Sequence, residues 1–105
     1  MKIDPSLLKV QHNPDRKRFE VKVENHLAVC EYILSKTRII FTHTEVPPAL
    51  EGNGVGAMLA KAGLEYAREH DLRIMPLCPF VAAYMQENPE YNDLLMPGFK
   101  LKAKG

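Results

Sequence analysis

The spacing of hydrophobic positions divides this chain near its middle, with a period of two before residue 46 and a helical period of about 3.6 after residue 54. Phe19, Val21 and Val23 alternate with Glu20, Lys22 and Glu24, as in a strand with one buried face. Residues 27–34 (LAVCEYIL) and 38–46 (RIIFTHTEV) carry the β-branched and aromatic content of two further strands, separated by Ser35, Lys36 and Thr37. Glu24, Asn25 and His26 make a turn candidate, and links this short predict an antiparallel meander. Ahead of it, an apolar run over residues 7–10 leads into Gln11, His12, Asn13 and Pro14, where Asn-Pro-Asp predicts a turn.

Pro47 and Pro48 stop the third strand, because proline has no N–H to give to a ladder. Val55, Met58, Leu59, Ala62 and Tyr66 then fall on one helical face, which Ala67 extends, and the helix is expected to end near residues 69–71. Residues 73–77 (RIMPL) are short and apolar. A strand returning to the sheet after a helix lies parallel to the one before it, so residues 38–77 predict a βαβ crossover. Pro79 opens a second helix through Glu87, and Asn88-Pro89-Glu90 breaks it. Tyr91, Leu94, Leu95 and Phe99 suit a final short helix and a covering tail. With no repeat, low-complexity run or linker, the expectation is one mixed α/β domain over residues 1–105.

Charge adds mainly exclusions. A formal net charge of +1 lacks the basic excess of a protein held to nucleic acid by phosphate neutralisation. The DRKR run at residues 15–18 reads as a solvated turn, and Lys100, Lys102 and Lys104 as a frayed end. No stretch reaches the ~20 apolar residues of a membrane span, and MKIDPSLLKV lacks an apolar run of signal-peptide length. Two cysteines, Cys30 and Cys78, do not make a disulfide framework, and Cys30 within its apolar run reads as a core residue. The expected setting is the reducing cytoplasm.

Chemistry is concentrated where the period changes. Glu51, Gly52, Asn53, Gly54, Val55 and Gly56 form a glycine-rich loop entering a helix, a place where backbone N–H groups and the macrodipole favour an anion, phosphate above all. Such a loop on its own is as often a tight strand-to-helix connection. It lacks the Gly-Lys-Ser/Thr of a Walker A loop, and it follows a meander, unlike a Rossmann fingerprint.

Val46-Pro47 followed by Glu51-Gly52-Asn53-Gly54-Val55-Gly56 resembles the acyl-CoA loop of the GNAT N-acyltransferase superfamily, Gln/Arg-x-x-Gly-x-Gly/Ala. With His43-Thr44-x-Val46, Cys78-Pro79-Phe80, Tyr84 and Asn88-Pro89-x-Tyr91, the chain resembles the short GNAT-like proteins of about one hundred residues, from Phe19 to Tyr91. Glu51 departs from the Gln or Arg of many relatives, which weakens the expected binding without abolishing it. The resemblance implies a splayed sheet with the pantetheine arm between the His43 and Arg73 strands. It further implies backbone near Val46 pairing with pantetheine amides, and the backbone of Glu51 to Gly56 on the pyrophosphate.

His43 and Cys78 end neighbouring parallel strands, at the rim where open α/β sheets bind ligands. Histidine suits proton transfer near neutral pH. Cys78 precedes Pro79 and so falls at the N-cap of the second helix, where the dipole favours a thiolate. Each residue alone is more often structural, and the acyl-CoA loop between them tips the reading to function. Glu45 shares the parity of His43 and is the substitute base, Tyr84 is a candidate proton donor, and His12, His26 and His70 read as surface residues. The resemblance thus implies an N-acyltransferase using acetyl-CoA and no metal, with His43 as base, Cys78 as a possible acyl acceptor and an unidentified amine as substrate. The alternative is a non-catalytic CoA-binding module. Oligomeric state stays open.

Overall fold

Four consecutive strands pair as an antiparallel meander, and a fifth joins in parallel. The computed structural model describes residues 3–101. The elements are β1 (Val10–Asn13), β2 (Arg18–Val23), β3 (His26–Leu34), β4 (Arg38–Glu45), α1 (Val55–Glu69), β5 (Arg73–Pro76) and α2 (Pro79–Glu87). The sheet order is β1-β2-β3-β4-β5, with β4 and β5 parallel from Arg38↔Arg73 to Phe41↔Pro76, as the βαβ pattern predicts. Lys102 and Lys104 of the expected frayed end lie outside the described residues, as do Met1 and Lys2.

The polar residues leading into the expected Asn-Pro-Asp turn belong to a strand. Gln11, His12 and Asn13 belong to β1 and pair with Glu20, Phe19 and Arg18, and the expected turn follows at residues 14–17, where Lys17 takes φ 54° and its N–H donates to the Pro14 carbonyl. His12 is exposed, as expected of a surface residue, yet it is held in place: its ring stacks on Phe19 with centroids 4.4 Å apart and its Nε2 is 2.6 Å from Tyr32 Oη. A polar run flanked by a proline hides a strand whose aromatic contacts are made by an exposed imidazole. The last predicted helix is a 3-10 turn, Pro89–Leu94. Beyond it Leu95 bridges Ile74 and the Met96 N–H donates to the Ile74 carbonyl, so the tail guards the open edge of β5.

Helix α1 lies across the sheet on a row of small residues. Gly56, Ala60, Gly63 and Ala67 are buried along with Val55, Leu59 and Leu64, whereas Met58, Ala62 and Tyr66 of the predicted stripe are only half-buried. A Cβ on Gly63 would stand 2.6 Å from Phe41 Cε1. The helix therefore crosses at the closest approach a helix and a phenylalanine permit, and Leu59 and Leu64 flank the crossing, each fully buried side chain contributing about 1.5–3 kcal/mol. Helix α2 packs on α1, β4 and β5. Both helices cover one face, in keeping with a shortest dimension of 19 Å, while Leu27 and Ile33 of the opposite face are exposed.

Candidate functional site

Strands β4 and β5 part company halfway along β4. Their pairing ends at Phe41↔Pro76, after which the Cys78 N–H donates to the Phe41 carbonyl at 2.9 Å. Pro79 then turns the chain into α2 while β4 runs on from Thr42 to Glu45. A wedge-shaped gap opens between them, as the sequence resemblance implies.

At the mouth of the gap the glycine loop delivers the chain into α1. Gly52 and Gly54 take φ of 81° and 73°, left-handed values that side chains with a Cβ adopt at a cost. Gly54 is the N-cap, with no capping side chain and no acidic residue in the first turn. The first-turn N–H groups of Val55, Gly56 and Ala57 have no intrahelical acceptor. They border a cavity of about 440 Å³ lined by Thr44, Val46, Leu50, Glu51, Gly52, Gly54, Val55, Gly56, Ala57 and Phe80. It combines orphan donors, a helix dipole and apolar walls.

Several loop residues do something other than expected. The Glu51 N–H already donates to the Pro48 carbonyl at 3.2 Å, closing the 3-10 turn Pro48–Leu50, so it is not open to a pyrophosphate; the exposed Glu51 side chain sits on the cavity rim. Asn53 is the brace: its Nδ2 donates to the Leu50 and Glu51 carbonyls and its Oδ1 accepts from the Ile3 N–H. Gly56 is glycine for packing rather than for a turn, because a Cβ there would stand 2.5 Å from Phe80 Cζ. Val46 is half-buried and lines the cavity.

His43 and Cys78 are not brought together. Opposite Glu31 and Tyr32 the register slips from His43 to Phe41, making Thr42 an extra residue in β4, a bulge whose Oγ1 donates to the Glu31 carbonyl. A bulge inverts the side-chain alternation beyond it. Phe41 faces α1; without the bulge His43 would follow it, but here Thr44 does. Thr44 pairs with Cys30 and accepts from the Cys78 thiol, Sγ to Oγ1 3.3 Å, beneath the helices. His43 and Glu45 turn to the uncovered face, where Nε2 lies 3.7 Å from Oε1 and both are more than half exposed.

Cys78 is the N-cap of α2, as expected, with no side-chain cap bond, and only 3% exposed. Cys30 is a core residue, its thiol pushed up to about 11 by burial, against a hydrogen bond from Thr44 that works the other way. Thr44, a member of the His43-Thr44-x-Val46 motif to which the sequence assigns no role, therefore joins the cavity to both thiols. Tyr84 lies outside the cavity lining, its ring 6.4 Å from Tyr91. Burial first, and then the carboxylates of Glu90 and Glu65, keep its phenol protonated. The Tyr91 hydroxyl donates to Glu65, and Arg68 binds Asp93 with both nitrogens, so the Asn-Pro-x-Tyr segment fastens the tail. Among the described residues no group of three or more His, Cys, Asp or Glu side chains is placed to hold a metal.

Known proteins share this architecture. The sequence model of GCN5-related N-acetyl-transferases matches residues 18–94. Protein NATD1 of Xenopus tropicalis is 34% identical over 102 residues, covering 90% of this chain and 93% of its own. The human Protein NATD1 is 33% identical over 96 residues, covering 86% and 84%. The NMR solution structure of a GCN5-like protein from Staphylococcus aureus superimposes with a TM-score of 0.69 at 30% identity, over 93% of this chain and 96% of that one. The five-stranded mixed sheet with its glycine loop and parted strands is a GNAT-like fold, and the chain belongs to the GCN5-related N-acetyltransferase family.

Proposed function

We propose that this protein transfers an acyl group, most simply acetyl, from its coenzyme A thioester to an amine. One observation carries the reading. The uncapped start of α1, the end of β4 and Phe80 of α2 line a single cavity, and β4 and β5 cease to pair at Phe41↔Pro76, before Thr44, so a diphosphate on the N–H groups of Val55 to Ala57 leaves its thioester arm running along β4 toward the gap. Family membership supports the same ligand. The edge of β4 up to Val46 offers backbone groups to the arm's amides.

The gap joins two faces, and this suggests the division of labour. The thioester enters from the helix side, past Thr44. The amine enters from the uncovered side, past His43 and Glu45. Its nitrogen attacks the thioester carbonyl carbon, His43 takes the proton, and the tetrahedral intermediate collapses with cleavage of the carbon–sulfur bond. The CoA thiolate then takes a proton from water. Glu45, 3.7 Å from the imidazole, orients it. The cytoplasmic setting expected from cysteine usage belongs to the same proposal.

A covalent route through Cys78 has one observation in its favour, the bond from its thiol to Thr44 on the cavity wall, and one against it, the separation of His43 from Cys78 by the sheet. Mass spectrometry after mixing with acetyl-CoA and no acceptor distinguishes the two. The direct route predicts an unmodified Cys78, and rapid acetylation of Cys78 overturns it. With a pool of amines, thioester consumption followed by free thiol is expected to fall at least tenfold in His43→Ala and to persist in Cys78→Ala. Tight CoA binding with no consumption in any amine pool would instead mark a binding module.

A further inference from the structure

Phe80 puts a large aromatic ring on the cavity wall, and the loop's anion chemistry gives it no role. It stands at the second position of α2, remains 45% exposed, and borders the cavity across from Thr44 and Val46. Its ring edge occupies the space that a side chain at Gly56 would take, with Cζ 2.5 Å from that Cβ position. Two helices thus meet through one ring and one glycine, directly between the uncapped N–H groups of α1 and the point where β4 and β5 part.

We propose that Phe80 is a cosubstrate-binding residue, its exposed ring forming the wall on which the pantetheine arm packs between the diphosphate cradle and the gap. This rests on the acyl-CoA reading above. A phenyl ring has no donor for a phosphate, and its apolar surface beside Thr44 and Val46 of β4 suits the arm. Gly56 is then part of the same device: it lets the ring seat against α1 and leave the channel open, and a larger residue there would push the ring into the arm's path.

Calorimetric titration with two probes tests this, CoA itself and 3′-phospho-ADP, which is CoA without the arm. Phe80→Ala is expected to weaken CoA binding roughly tenfold, because the arm then leaves apolar surface in water that the ring would cover, and to leave 3′-phospho-ADP binding unchanged. Phe80→Leu keeps most of the apolar volume and is expected to fall between. Equal weakening of both probes would mean that the ring props the loop or stacks on the adenine that both probes share, and unchanged CoA binding in both variants would mean that the arm does not touch it; either overturns the proposal while the acyl-CoA reading stands. Failure of the unaltered chain to bind either probe overturns both.

Discussion

Glu51 places a carboxylate on the rim of a cavity whose other features favour an anion. Like charges near a helix N-terminus cost a few tenths of a kcal/mol up to about 1 when exposed, so Glu51→Gln is predicted to tighten CoA binding about two- to fivefold in a titration at low salt, with the gain shrinking as salt is added. Gly54→Ala, at φ 73°, is predicted to cost about 1 kcal/mol in urea unfolding and to weaken CoA as the loop relaxes. At this scale the sequence is legible in kind and not in detail. Three spaced glycines announce a loop, yet two answer to backbone angle and one to an aromatic ring 24 positions on, a contact no local pattern encodes. Cys78 is legible at its N-cap because Pro79 fixes the helix start. The expected pairing of His43 with Cys78 fails because one extra residue, Thr42, turns the histidine to the other face.

Strand β4 owes its two-sided character to that bulge, which gives its first half to the core and its end to the gap. Alternation read from Ile39 and Phe41 alone assigns every later residue to the wrong face, since a bulge leaves no compositional mark. Helix α1 shows a related difficulty. Its type and length are plain from Val55, Leu59 and Ala67, but its contact row runs through glycines and alanines that carry little hydrophobic signal. Close approach, not apolar mass, sets the crossing. Gly63→Ala is accordingly predicted to destabilise the fold by about 1–3 kcal/mol by overpacking against Phe41, measured as a drop in the urea midpoint with an unchanged slope. An unchanged midpoint would mean that α1 shifts freely on the sheet.

As a whole the molecule is one sheet with helices on one side, and its β1 edge is held by an aromatic patch: His12 between Phe19 and Tyr66, with His70 against Tyr66. Burial, and secondarily the charge of His70, hold His12 below the ordinary imidazole value of 6.5. Just below that value the unfolded chain binds a proton at His12 that the folded chain refuses, so stability rises with pH through this window and falls on acidification. Thermal melts from about pH 7 to about pH 5 should show that loss, and His12→Gln should flatten it; the other ionisable groups that meet this patch are Tyr32, Tyr66 and His70. The global order of strands and helices follows from periodicity because each element keeps one period along its length, while β1, four residues without an apolar alternation, does not. The central claim is that acetyl-CoA lies from the α1 N-terminus into the gap beside β4. Backbone amide NMR during titration with acetyl-CoA tests it most directly. The largest shifts are predicted at Gly54 to Ala57, at Thr44 to Val46 and at Cys78 to Phe80, and saturating shifts centred elsewhere, or none, would contradict the account.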